Sequence, residues 1–170
     1  MKKIQLLSLI FIVAIAISSV YFLIFRKPAK EIHYHAGFLV YVDGQLQDFT
    51  PSKYMETQPC YTNKVKHPPE DNQKEKAHLH DGIGDVVHVH RANATWGDLF
   101  KNIDFSFPAT ESAVGYINNT QINDIFHYPI KPDDSAIIVS GDIKAIDLKR
   151  YVTVDHIKEI ESKSETCGTQ

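Results

Sequence analysis

An α+β domain rich in strands, carried behind one N-terminal transmembrane helix, is the fold this sequence predicts. Three observations lead there. Residues 4–25 contain no charged side chain and are mostly Leu, Ile, Val, Ala and Phe, about the length a bilayer core requires of a helix. Beyond them, short segments alternate polar and apolar residues with period two and are punctuated by turn dipeptides, the mark of strands and hairpins. One segment, Thr95-Trp96-Gly97-Asp98-Leu99-Phe100, carries a helix-start signal.

The apolar run continues through Val20-Tyr21-Phe22-Leu23-Ile24-Phe25, past Ser18-Ser19, and so reads as an uncleaved anchor rather than a cleaved secretory leader. Lys2 and Lys3 on one side and Arg26, Lys27 and Lys30 on the other leave the charge rule for orientation undecided. The cysteines settle the expectation. Cys60 and Cys167 are the only two, lie far apart and form no CxxC, a pattern suited to one disulfide in an oxidising compartment. The predicted location is therefore the cell membrane, single-pass through residues 4–25, with the domain outside the cytoplasm. A net charge of −3 without a basic stripe gives a nucleic-acid partner no electrostatic support.

The expected organisation is an anchor and linker over 1–30, a β-rich domain over 31–145 and a C-terminal segment over 146–170. Residues 32–42 alternate as a strand with His33, His35, Gly37, Leu39 and Tyr41 on one face. Asp43-Gly44 is a hairpin turn, and residues 45–49 are the return strand. Residues 50–76, with Pro51, Pro59, Pro68 and Pro69, form an irregular insertion. His78-Leu79-His80, a bend at residues 81–85 and a strand over 86–91 make a second hairpin. Thr95 caps a short helix ending near Ile103, with Asp98 at its positive end. Residues 114–117 and 120–122 pair across Asn118-Asn119, and residues 135–139 follow a turn at Pro132-Asp133-Asp134 as a buried strand. The tail over 154–163 is helical, with an apolar stripe of Val154, Ile157 and Ile160.

In layout, residues 86–141 resemble the small sulfur-carrier proteins of the β-grasp class. Those carriers act through a C-terminal Gly-Gly tail, whereas Ser140-Gly141 here is followed by residues 142–170, so the likeness implies a β-grasp-like core and not their chemistry.

Histidine spacing carries the functional signal. Six of the nine histidines fall in three His-x-His pairs, His33/His35, His78/His80 and His88/His90, far more than random placement gives. Residues i and i+2 of a strand share a face, so each pair presents two imidazoles side by side. Leu79 and Val89, between the rings, suit a core on the other face. A bend centred near Gly84 would set His78 opposite His90 and His80 opposite His88. His33 and His35 complete the same site or form a second one. Imidazole suits zinc and copper, and the affinity order favours Cu(II) where copper is available. Asp81 and Asp85 are placed to orient a ring N–H or to ligate directly. Protonation of such a cluster near pH 6 without metal is the rival use. His67, His127 and His156 read as ordinary surface or hydrogen-bonded residues.

Catalytic families with a His-x-His start fit poorly. The metallo-β-lactamase pattern needs a further histidine after the acid, and a TIM-barrel amidohydrolase needs a longer chain. A cupin-like β-sandwich or barrel is the nearest alternative, with His78, His80, Asp85 and His88 or His90 imitating its ligand set. No nucleophile elbow, phosphate loop or dinucleotide fingerprint is present, and no catalytic residue is assigned.

The string from His78-Leu79-His80-Asp81-Gly82 through Val87-His88-Val89-His90, followed by Thr95-Trp96-Gly97-Asp98-Leu99-Phe100, resembles an uncharacterised family of small membrane-anchored bacterial proteins over residues 33–139. Members often carry an acid at the position of His90, which makes His88 the firmer ligand. The expected function is extracytoplasmic binding of copper or zinc for capture, storage or delivery, with a protein metal acceptor as a further partner. A cupin-like metalloenzyme and a metal-free interaction module are the alternatives.

Overall fold

Alternating residues build β1 (Tyr34–Val42), which lies inside the sheet with partners on both edges. The computed structural model of the chain describes residues 32–56, 73–108, 113–144 and 146–163, all within the compact unit Glu31–Gln170. The expected anchor at 4–25, residues 57–72 of the insertion, Cys60, His67 and Cys167 lie outside the described residues. Among those described, no helix is long and apolar enough to cross a membrane.

After Asp43-Gly44 the chain returns as β2 (Gln45–Leu46), shorter than the predicted 45–49. Asp48 Oδ1 accepts from the Thr50 amide and closes a local turn, which lets Phe49 swing into the core. There follow β3 (Ala77–His78), β4 (Val86–Val89), helix α1 (Trp96–Asn102), β5 (Val114–Ile117), β6 (Thr120–Ile122), β7 (Ser135–Ser140) and helix α2 (Val154–Lys163). Among the described residues, seven strands form one sheet in the order β3-β4-β1-β7-β5-β6, with β2 paired to the end of β1. β1 and β7 run parallel and the other pairs antiparallel. This mixed sheet with two helices is an α+β arrangement, and the described strands make neither the sandwich nor the barrel of the cupin alternative.

α1 starts at a capping box. Thr95 Oγ1 accepts from the Asp98 amide, and the Asp98 carboxylate accepts from the Thr95 amide, so two otherwise orphaned donors are satisfied. The helix buries Trp96, Leu99 and Phe100 against Ala36, Phe38, Val40, Leu79, Val87 and Val89, the even-numbered side of β1. The odd-numbered side receives α2, whose Ile157 and Ile160 pack with Val152 and Val86. Val154, predicted to belong to that stripe, is instead 44% exposed, because Val152, ahead of the helix, takes the inward position. Gly37 permits the approach: a Cβ there would lie 2.5 Å from Val152 Cβ.

Candidate metal centre

Strand parity puts the histidines on the α2 side of the sheet. Ala77, Leu79, Val87, Val89, Ala36 and Phe38 face the α1 core, so the residues between and beside them, His78, His80, His88, His90, His35 and His33, face the other way. Register then sets them in a row. His35 stands opposite His88 across β1 and β4, and His78 opposite His88 across β3 and β4. His33 and His90 stack just beyond the paired residues, centroids 4.8 Å apart and planes 18° apart.

The predicted pairing of His78 with His90 and His80 with His88 is therefore not the one formed. At Leu79 the chain turns away from β4: its backbone bridges Met55, its carbonyl accepts from the Glu56 amide, and its side chain is fully buried. A turn at Asp81 (φ 59°) and Gly82 (φ 73°) follows, and the connection is wider than a hairpin centred on Gly84. The change of register keeps parity, so both rings stay on the same face. His80 still lays its ring 3.6 Å, centroid to centroid, from His88.

His88 lies at the middle of the cluster, in ring contact with His33, His35, His78, His80 and His90. His33, His35 and His88 each offer a ring nitrogen within 4.8 Å of the other two, a group that could hold a metal ion. His33 is exposed and the other two are buried. His35 Nε2 is 2.9 Å from both His88 nitrogens, with the rings at 80°. One N–H cannot point at two acceptors on the same ring, so this is a close approach of nitrogens rather than an ordered hydrogen bond.

The surroundings fix ring tautomers. His78 Nδ1 lies 3.1 Å from the Lys74 carbonyl, which only accepts, so Nδ1 carries the proton and Nε2 the lone pair. His80 Nδ1 is 2.6 Å from Asp81 Oδ2 and is held in the same way. His35 Nδ1 faces Glu161 of α2 at 3.7 Å. Metal-binding histidines usually donate their second nitrogen to a carboxylate or carbonyl as His78 and His80 do here, whereas Glu161 acts on His35 through its charge at a longer distance. Burial also favours the neutral form of four of the rings, His35, His78, His88 and His90. Burial, reinforced by the neighbouring rings, lowers His35 to about 4 and His90 to about 3. Burial likewise lowers His78 to about 4, against an opposing pull from the Lys74 carbonyl. Burial, and after it the imidazoles around it, push His88 down furthest. Neutral imidazole is the metal-binding form.

Asp81 thus meets a cluster histidine, whereas Asp85, expected beside the rings, faces His156 Nε2 of α2 at 3.1 Å. Sequence reasoning did not pick out Glu161. Its one signal is that Ile157, Ile160 and Glu161 share the i, i+3, i+4 spacing of a helix face. His127 is exposed beside Asp124, an ordinary surface histidine.

A cavity of about 560 Å³ opens on the same side of the sheet, lined by Leu39, Ile83, Asp85, His156, Ile160 and neighbours. None of the six cluster histidines is among the residues that line it. The cavity and the imidazole row are separate features of one face. No protein-family model, curated protein or solved structure matches the chain.

Proposed function

We propose that this protein is a membrane-anchored, extracytoplasmic binder of copper or zinc that captures, stores or delivers the ion through its strand histidines. The single observation that carries the reading is the convergence of His33, His35 and His88 on a face where His78 and His80 have Nδ1 tied to an outer acceptor. The six rings gather a nitrogen-rich donor set on one face, with His35, His78, His80, His88 and His90 buried, and a borderline transition metal is the ion such a set suits. Delivery to a protein acceptor fits a site built partly from the exposed His33.

The finer fold belongs to this reading. The order β4-β1-β7-β5-β6, with β1 parallel to β7 and α1 crossing between β4 and β5, supports a β-grasp-like core that begins at β1 rather than at residue 86. Membership of the family of small membrane-anchored bacterial proteins, the anchor at 4–25, the external location and a Cys60–Cys167 disulfide complete the proposal. The cupin-like enzyme reading needs a substrate pocket at the metal, and the cavity found here is lined by residues outside the cluster. Metal content of the untagged full-length chain, beside a variant with His78, His80, His88 and His90 changed to Ala, tests the function. Stoichiometric copper or zinc that is lost in the variant supports it, and metal at background in both defeats it.

A further inference from the structure

The cavity on the α2 side of the sheet has an apolar floor and a charged rim. Leu46 of β2 stands opposite Tyr41 of β1, so it shares a face with Leu39, and Ile83 and Ile160 of α2 close round them. Leu46 is 45% exposed and leaves this floor open at the mouth. The walls are held together at Gly84, where a Cβ would lie 2.6 Å from the backbone of Phe49 and Thr50. The hollow is therefore formed before anything enters it. Of the charges that line it, Asp85 is matched by His156 at 3.1 Å. Asp48 accepts from the uncharged Thr50, and Arg150 lines the same cavity. Both are exposed, and among the described residues neither has an ion-pair partner, so they also stand too far apart to pair with each other.

We propose that this cavity binds a short free peptide with apolar side chains, its terminal ammonium on Asp48 and its terminal carboxylate on Arg150. An acid and a base that line one hollow without pairing are complementary to a ligand that carries both charges apart. A free peptide does so at its two ends. Its side chains cover Leu39, Leu46, Ile83 and Ile160, and binding gains with the apolar area taken from water. The volume of about 560 Å³ falls among small-ligand sites, which run to about 300–1,000 Å³. A fatty anion would use Arg150 and leave Asp48 without a role. The site is independent of the metal-binding reading, because none of the six cluster histidines lines it.

Calorimetric titration of the metal-free full-length chain with trileucine, N-acetyl-trileucine, trileucine amide, free leucine and octanoate tests this. Trileucine binds one to one, and capping either end weakens it about fivefold, the size of a partly exposed charge pair. Asp48→Asn keeps an oxygen for Thr50 and removes the charge; in it acetylation no longer matters, while amidation still does. In Arg150→Gln the pattern reverses. Both positions are exposed, so the variants fold. No saturable binding of trileucine overturns the proposal. Equal affinity for the free and the doubly insensitive capped peptides reduces the site to an apolar hollow and also overturns it. Octanoate binding as tightly as trileucine, with D48N unaffected, assigns the cavity to anionic amphiphiles instead, and free leucine matching trileucine overturns the peptide assignment.

Discussion

Glu161, on α2, holds its carboxylate 3.7 Å from Nδ1 of the buried His35 on β1. The contact links the helix on the outer face of the sheet to the first ring of the row. A carboxylate facing Nδ1 favours the proton there and turns the Nε2 lone pair toward the other rings.

Replacing Glu161 by Gln removes the charge and keeps the shape. Outer partners of metal-binding histidines contribute about 10–100-fold in affinity, so E161Q weakens copper or zinc binding by roughly tenfold. Glu161 is partly exposed, and stability changes little. Competition against a chromophoric chelator measures the affinity, and an unchanged value removes Glu161 from the site.

Gly37→Ala tests the same link from the sheet side. The added Cβ meets Val152 at 2.5 Å, and overpacking of this kind costs about 1–3 kcal/mol. As α2 is pushed outward, Glu161 leaves His35. Reduced stability in urea and weakened metal affinity are expected together. Affinity held at the wild-type value in a destabilised G37A would separate helix docking from the site.

Protonation works against the metal-free fold. His35 and His78 titrate near 4 in the folded protein, against about 6.5 in the unfolded chain. Because the folded values are depressed, stability is full above about pH 6.5 and is lost as pH falls toward 4. For His78 the slope is about 1.4 kcal/mol per pH unit within that window. Urea unfolding of chelator-treated protein at pH 7 and pH 5 reads it, and equal midpoints would mean that the rings are not enclosed.

Thr95→Ala serves as a remote contrast. Losing the hydroxyl of the capping box costs about 1 kcal/mol, while α1 lies on the face opposite the histidines. Thermal unfolding falls and metal stoichiometry stays the same; a loss of bound metal in this variant would show that the two faces are coupled.

What could be read from sequence was mostly local. Leu79 and Val89 between the histidines announced which face was core, and parity then placed His78, His80, His88 and His90 on the other side, whereas His33 and His35 join them only through the pairing of β1 with β4. Thr95 with Asp98 marked the helix start, and the Asn118-Asn119 and Asp43-Gly44 dipeptides marked hairpin turns that are present. What escaped depends on partners distant in the chain. The hairpin register was set by Leu79 bridging Met55, a contact no turn propensity encodes. The shortened β2 follows from the turn at Asp48 and the burial of Phe49. Glu161 reaches His35 only because Gly37 admits Val152 and α2, and Asp85 is drawn to His156 on the same helix.

X-ray absorption at the metal edge of protein loaded with one equivalent of copper or zinc reads directly whether the ion sits on the histidine face. A histidine-bound ion gives a first shell of nitrogen at about 2.0–2.1 Å for zinc, with the outer-ring scattering of several imidazoles. A first shell of oxygen or sulfur without imidazole scattering would contradict it, because the ion would then be bound elsewhere than at the histidine face.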